Sequence, residues 1–288
     1  MLELVVSPSE FVDGIVIAIS PIAVSIGPAS VRWFGIAVAL GLAAGLLVAA
    51  RLGRGQGLTE GDVYACALGG IMAGAVGARL THVVDKLDYY LQNPYFVLSP
   101  SHVSMSSLGA LVFGSVAVAF VARRRGVPGS TALDVGVPAF LVGQIVGRLG
   151  SLLNGESWGS PSSLPWAITY LSPDAMLPPG RLGMPTHPYP VYEALWTTAA
   201  LGIALLLSRR WHVRGGLAAV ALLLYAAGRL YLGQFREEGA WLFGLQQAQV
   251  LAAVVVLLCV PWIVYLAATP PQARDRPGAA RASRGQVL

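Results

Sequence analysis

The chain has 288 residues, 55% of them hydrophobic and 11% charged, and a formal net charge of +5. A soluble domain of this size carries roughly 25% charged residues, so the deficit argues against a water-solvated enzyme and for a chain solvated mainly by lipid. The positive balance could suit nucleic acid, but the basic residues sit at alternate ends of apolar runs, which speaks against that partner.

In chain order, residues 1–30 read as an external segment lying on the membrane surface. Glu3, Glu10 and Asp13 stand where a cleavable signal needs a basic region, so the first span is expected to act as an uncleaved anchor. A bilayer core requires ~20 apolar residues per helix. Seven stretches qualify, at about 31–50, 61–84, 104–122, 131–153, 188–208, 215–235 and 244–268. Spans one to four occupy 31–153. A Pro-, Gly- and Ser-rich stretch, 154–187, reads as a small external head, and spans five to seven occupy 188–268. Residues 269–288, with Pro270, Pro271 and Pro277, read as a disordered cytoplasmic tail.

Arginines set the orientation. Arg51 and Arg54, Arg123 to Arg125, Arg209, Arg210 and Arg214, and Arg274, Arg276, Arg281 and Arg284 follow spans one, three, five and seven. These twelve of the 19 basic residues predict an all-α integral membrane protein with seven transmembrane helices, the N-terminus outside and the C-terminus cytoplasmic. Trp158, Trp166 and Trp241 then belong to an outer aromatic belt, and Trp211 and Trp262 to an inner one. Cys66 and Cys259 lie in apolar runs and read as buried hydrophobes rather than a disulfide. Gly70, Gly74 and Gly77 in the second span read as close helix packing.

Four arginines are out of place. Arg32, Arg79, Arg148 and Arg229 lie within or at the ends of spans, where a charge costs several kcal/mol unless it faces a partner or a wet cavity. All four fall toward the outer side. The acids at that depth are Glu156 and Glu193. Asp134 is at the other end of the fourth span, and Glu237 and Glu238 read as facing water beside Arg236. Four arginines against two carboxylates leave positive charge over. That surplus suits an anionic ligand, and a lipid phosphate is the obvious one at that depth. Tyr225, Arg229, Gly233 and Arg236 share a helical face in the sixth span, as do Gln144, Arg148 and Ser151 in the fourth.

Residues 147–159 read Gly-Arg-Leu-Gly-Ser-Leu-Leu-Asn-Gly-Glu-Ser-Trp-Gly, a helix that carries Arg148 and ends at Asn154-Gly155, suited to a left-handed cap. Glu156 then emerges at the membrane surface. The segment resembles the signature of prolipoprotein diacylglyceryl transferases, in which Gly-Arg leads to Asn-x-Glu and then Gly. The resemblance extends along most of the chain: Arg32-Trp33-Phe34-Gly35, Gly77-Ala78-Arg79-Leu80, Asp134, His187-Pro188 with Tyr192-Glu193, Tyr225 with Arg229, and Gln249 all look like elements of that family.

What the resemblance implies is specific. The family moves the diacylglyceryl group of phosphatidylglycerol onto the lipobox cysteine of a preprolipoprotein signal peptide, in the bacterial plasma membrane and with no cofactor or metal. Carried over residue by residue, Arg148 and Arg229 hold the phosphate, with Glu156, His187 and Tyr225 as further catalytic candidates. Arg79, Asn154, Glu193, Tyr192, Arg236, Gln249 and Asp134 are the substrate-binding candidates. The chain departs from the family at four places. Phe34 replaces a tyrosine, Leu108 a histidine, Ser151 an asparagine and Gly233 a glutamate. His82 and His102 are the alternatives for the missing histidine. These losses fall on proton-handling groups, so a relative that keeps the lipid pocket without the chemistry, as a lipid-binding or structural subunit, is the competing reading.

Overall fold

The computed structural model describes residues 14–27, 29–97, 106–178, 180–211 and 213–268. The N-terminal part of the expected surface segment, His102 and the expected cytoplasmic tail lie outside the described residues. Among the described residues eight α-helices run in order: α1 Trp33–Gly55, α2 Glu60–Asp85, α3 Leu87–Gln92, α4 Ser107–Arg124, α5 Gly129–Asn154, α6 Tyr189–Ser208, α7 Gly216–Leu232 and α8 Gln247–Ala268. Six of them, α1, α2, α5, α6, α7 (with the 3-10 turn that follows it) and α8, are long and apolar enough to cross a membrane. The described part of the remaining expected span, 104–122, lies in α4, Ser107–Arg124, which is not among those six. Large apolar side chains such as Leu40 and Leu47 on α1, and Leu257, Leu258 and Val264 on α8, are exposed. Helices this apolar on their outward faces fit a lipid solvent.

Among the described residues four short strands accompany the helices: β1 Ile15–Ile17, β2 Ile22–Ile26, β3 Ala29–Arg32 and β4 Ile168–Tyr170. β2 and β3 form an antiparallel hairpin, and β1 lies parallel to β4. The sequence reading assigned no strand to residues 1–30. Strands of three to five residues leave too little alternation to stand out beside a long apolar span.

The chain divides into two compact units. Of the described residues, one unit comprises those within 1–42, 142–200 and 225–256, and the other those within 43–141, 201–224 and 257–288. In the second unit α2 and α4 lie side by side. A side chain at Gly74 would meet the Ala110 carbonyl at 3.2 Å, and one at Gly77 the Phe113 ring at 2.4 Å, so these glycines serve the close packing expected of them. α2 starts with a capping box, in which Thr59 Oγ1 accepts from Asp62 N and the Asp62 carboxylate accepts from Thr59 N, each at 3.2 Å. Two buried backbone donors opening α7 are satisfied from α5: Gly215 N and Ala218 N donate to the Asp134 carboxylate at 2.6 and 2.9 Å.

Candidate functional site

Ten of the twelve candidate residues fall in the first unit: Arg148, Arg229, Glu156, His187, Tyr225, Asn154, Glu193, Tyr192, Arg236 and Gln249. Their geometry begins with Glu193, in the second turn of α6 and only 3% exposed. A carboxylate buried that deeply needs a cation or several donors. Arg229 of α7 donates through Nη1 to Glu193 Oε1, and Tyr189 Oη donates to the same oxygen at 3.0 Å. Arg148 of α5 places Nε 2.8 Å from Oε2. Its N–H is not aimed at that oxygen, which accepts no hydrogen bond, so the contact is one of charge rather than of directed bonding.

The approach of α6 to α7 depends on Gly228, beside Arg229. A side chain there would meet the Trp196 indole at 1.9 Å, so only glycine lets the two helices come close enough for Arg229 to reach Glu193. Arg229 also lies 6.0 Å from the Tyr225 ring, one turn earlier on α7. Two guanidiniums thus share one carboxylate, leaving net positive charge. Arg148 makes its contact through Nε and Arg229 through Nη1, so each keeps further N–H groups that do not point at Glu193. Such remaining forks suit a phosphate.

A second network lies at the end of α5. Glu156 accepts from Ser151 Oγ and Asn154 Nδ2, both at 3.1 Å. Asn154 Oδ1 accepts in turn from Arg32 Nη1 at 3.1 Å, and the same Arg32 nitrogen donates to the Asp174 carbonyl at 3.1 Å. Asn154 therefore links a cation to an acid through its two ends. Ser151 supplies one of the two donors to Glu156. The turn that brings Glu156 back is made by Gly155, at φ +74°, the left-handed cap expected at Asn154-Gly155. Tyr170 of β4 ties down the same helix end by donating to the Leu152 carbonyl at 2.8 Å. Burial pushes its phenol above the ordinary tyrosine value, so it stays a donor.

His187 sits just before α6. Its Nδ1 is 3.3 Å from Tyr192 Oη, which accepts from Trp166 Nε1 at 2.8 Å. Its ring lies 5.1 Å from that of Phe235, and the four aromatics with Leu164 and Leu232 line a cavity of about 370 Å³. Burial lowers the His187 pKa, so the ring is neutral at pH 7 and able to accept a proton.

The structure corrects two expectations. α7 ends at Leu232, so the face carrying Tyr225 and Arg229 does not continue as helix to Arg236. Gly233 opens a 3-10 turn, packed so closely on Gln249 that a side chain there would meet it at 2.6 Å. Arg236 instead pairs with Glu238 at 3.1 Å and lies 5.7 Å from the Tyr189 ring. Gln249 donates to the Leu230 carbonyl at 3.1 Å and accepts from Gln246 N at 3.0 Å, which binds α7 to α8. Secondly, Glu237 does not simply face water, because its Oε1 pairs with Arg181 and its Oε2 is buried. Arg79 and Asp134 lie in the other unit. Arg79 donates to the Val97 carbonyl at 2.9 Å and to the Phe96 carbonyl, and stands over the Tyr90 ring at 5.4 Å. Asp134 caps α7, as described above. His82, an alternative candidate base in the sequence reading, packs edge-on against Tyr90.

Sequence reasoning passed over Tyr189, whose hydroxyl completes the Glu193 site. The available signal was its position four residues before Glu193 on the same helix.

Six apolar helices of membrane-spanning length define a polytopic membrane protein, in which two arginines of α5 and α7 meet one buried acid of α6. The chain belongs to the prolipoprotein diacylglyceryl transferase family, whose model matches residues 21–265. It is 31% identical over 250 residues to the phosphatidylglycerol–prolipoprotein diacylglyceryl transferase of Dehalococcoides mccartyi, covering 86% of this chain and 94% of that protein. It is 30% identical over 269 residues to the protein of that name from Symbiobacterium thermophilum, covering 90% and 97% respectively. The identically named protein of Streptococcus pneumoniae is 26% identical over 250 residues, covering 86% and 94%. These names carry transferase function and lend no support to the non-catalytic alternative.

Proposed function

We propose that this chain transfers the diacylglyceryl group of phosphatidylglycerol to the lipobox cysteine of a preprolipoprotein, in the plasma membrane of a bacterium. The thiol sulfur attacks the glycerol carbon that carries the phosphate ester. A C–S bond forms, the C–O bond breaks, glycerol 1-phosphate leaves with the electron pair, and the thiol proton passes to a base. The reaction so written balances without metal or redox cofactor.

The observation that carries the proposal is the convergence of Arg148 and Arg229 on one buried carboxylate. Glu193 neutralises one of the two charges and fixes both guanidiniums; the surplus charge and remaining N–H groups hold the lipid phosphate. Because charge on the leaving phosphate grows as the C–O bond breaks, fixed donors of this kind favour the transition state over the bound lipid. Tyr225 supports Arg229 from the preceding turn. His187, neutral and half-buried, and Glu156, held by neutral donors, are the candidate proton acceptors for the thiol, whose reactive form is the thiolate. Asn154 and Tyr192 position these two groups. Arg236 and Gln249 border the site, and Asp134 holds the start of α7, the helix that carries Arg229.

The topology that suits this reading has seven spans, α4 included, with the N-terminus outside. It is supported by the arginines at the ends of α1, α4 and α6. Residues 154–187 then form an external head over the site, where both the outer-leaflet lipid and the secreted substrate are accessible.

The test is transfer itself. Purified protein incubated with phosphatidylglycerol vesicles and a lipobox peptide is expected to give a diacylglyceryl mass shift and free glycerol phosphate. Absence of product beside an active family member in the same detergent would refute the proposal.

A further inference from the structure

In the connection from Arg236 to Gln246, between α7 and α8, the residues 241–245 are all exposed while Gln246 is buried. Gln246 Nε2 donates to the Arg236 carbonyl at 2.9 Å, and Trp241 N donates to the Leu245 carbonyl at 2.8 Å. The acids of the connection precede its tip and are engaged there, Glu237 by Arg181 and Glu238 by Arg236. What remains at the tip is Trp241-Leu242-Phe243-Gly244-Leu245, closed by an antiparallel bridge between Leu242 and Leu245. Phe243 is 91% exposed and Trp241 57%.

Backbone geometry makes the tip stranger still. The two central residues of the turn are left-handed, Phe243 at φ +53° and Gly244 at φ +75°. Glycine accepts that conformation, but a bulky aromatic is strained in it. Asn-Gly would make the same turn without strain. An aromatic therefore stands where both the backbone and water disfavour it. The surroundings are set by the neighbours, because the segments on either side, Gly216–Phe235 and Gln247–Ala268, are each long and apolar enough to cross a membrane. The turn joining them emerges at a bilayer surface, where aromatic and aliphatic side chains are favoured.

We infer that Trp241–Leu245 is a membrane-inserting finger, whose occupant is the boundary between headgroups and acyl chains of the bilayer in which the helices stand. The finger holds the 236–246 connection against the lipid surface. The inference does not depend on the chemistry proposed above.

The test uses the full chain in nanodiscs of phosphatidylglycerol and phosphatidylcholine. Phe243→Cys, in a background with Cys66→Ala and Cys259→Ala, is labelled with an environment-sensitive fluorophore. Insertion is expected to give blue-shifted emission, quenched by lipids brominated high on the acyl chain and protected from aqueous iodide. Red-shifted emission open to iodide would overturn the inference. So would a blue shift that arises only on adding a lipobox peptide, which would assign the surface to the peptide. An unlabelled variant gives a second reading. Phe243→Asn relieves the backbone strain and is expected to keep the thermal stability of the detergent-solubilised protein; a clear fall in Tm would show that Phe243 packs within the protein and would overturn the inference as well.

Discussion

Two carboxylates are buried to the same degree in this molecule and are satisfied in opposite ways. Asp134, 4% exposed, accepts from the backbone N–H groups of Gly215 and Ala218 and so closes the start of α7. Glu193, 3% exposed, lies between the side chains of Arg148 and Arg229 and takes a hydroxyl from Tyr189. Backbone donors are neutral and fixed, and once they meet an acid nothing is left over. Guanidiniums bring charge and more donors than one carboxylate can use. Burial alone therefore does not mark a functional acid; the surplus its partners carry does.

If that contrast holds, the two acids respond differently to substitution. Glu193→Gln leaves two buried guanidiniums without a counter-charge and should cost about 3–5 kcal/mol, read as a large fall in thermal stability in detergent together with loss of transfer. Arg229→Ala should lower transfer about 10²–10³-fold while the protein still folds, measured as initial rate per folded molecule; near-normal rates would remove Arg229 from the chemistry. Asp134→Ala should cost about 1–2 kcal/mol as a lost helix cap, with the rate per folded molecule unchanged. A rate that collapses in stable Asp134→Ala protein would erase the distinction between the two acids.

Smaller effects probe the second network and the base. Ser151→Ala removes one donor from Glu156 and should cost about 1 kcal/mol, and Ser151→Asn should keep the donor. For His187, burial lowers the pKa and the neutral ring is the form that accepts a proton. Transfer should therefore hold through neutrality as pH falls and decline only below the ordinary histidine range. His187→Gln should abolish that acid limb. An unchanged pH profile in His187→Gln would shift the role of base to Glu156.

Much of this was legible in the sequence because lipid is an unforgiving solvent. Long apolar runs mark the spans, and Arg148, Arg229 and Glu193 stand out in them because a charge at that depth requires a reason. The Asn154-Gly155 cap was readable because glycine takes φ +74° without strain. Other features depend on contacts between residues far apart in the chain. β1 is three residues long and is defined by β4, some 150 positions later. The pairing of Arg181 with Glu237 joins two separate connections. Helical spacing carried the polar stripe of α7 on to Arg236, but Gly233 and its packing against Gln249 end the helix first. Arg79 was read with the other intramembrane arginines because its clamp on the Phe96 and Val97 carbonyls is made by chain that follows α2.

The central claim is that the arginine pair on Glu193 holds the phosphate of the lipid. Native mass spectrometry of the purified protein, wild type beside Arg148→Ala, tests it most directly by counting phosphatidylglycerol that stays bound as detergent is stripped. The account expects retained lipid in the wild type and its loss in a folded Arg148→Ala protein. Equal retention in the two would contradict it.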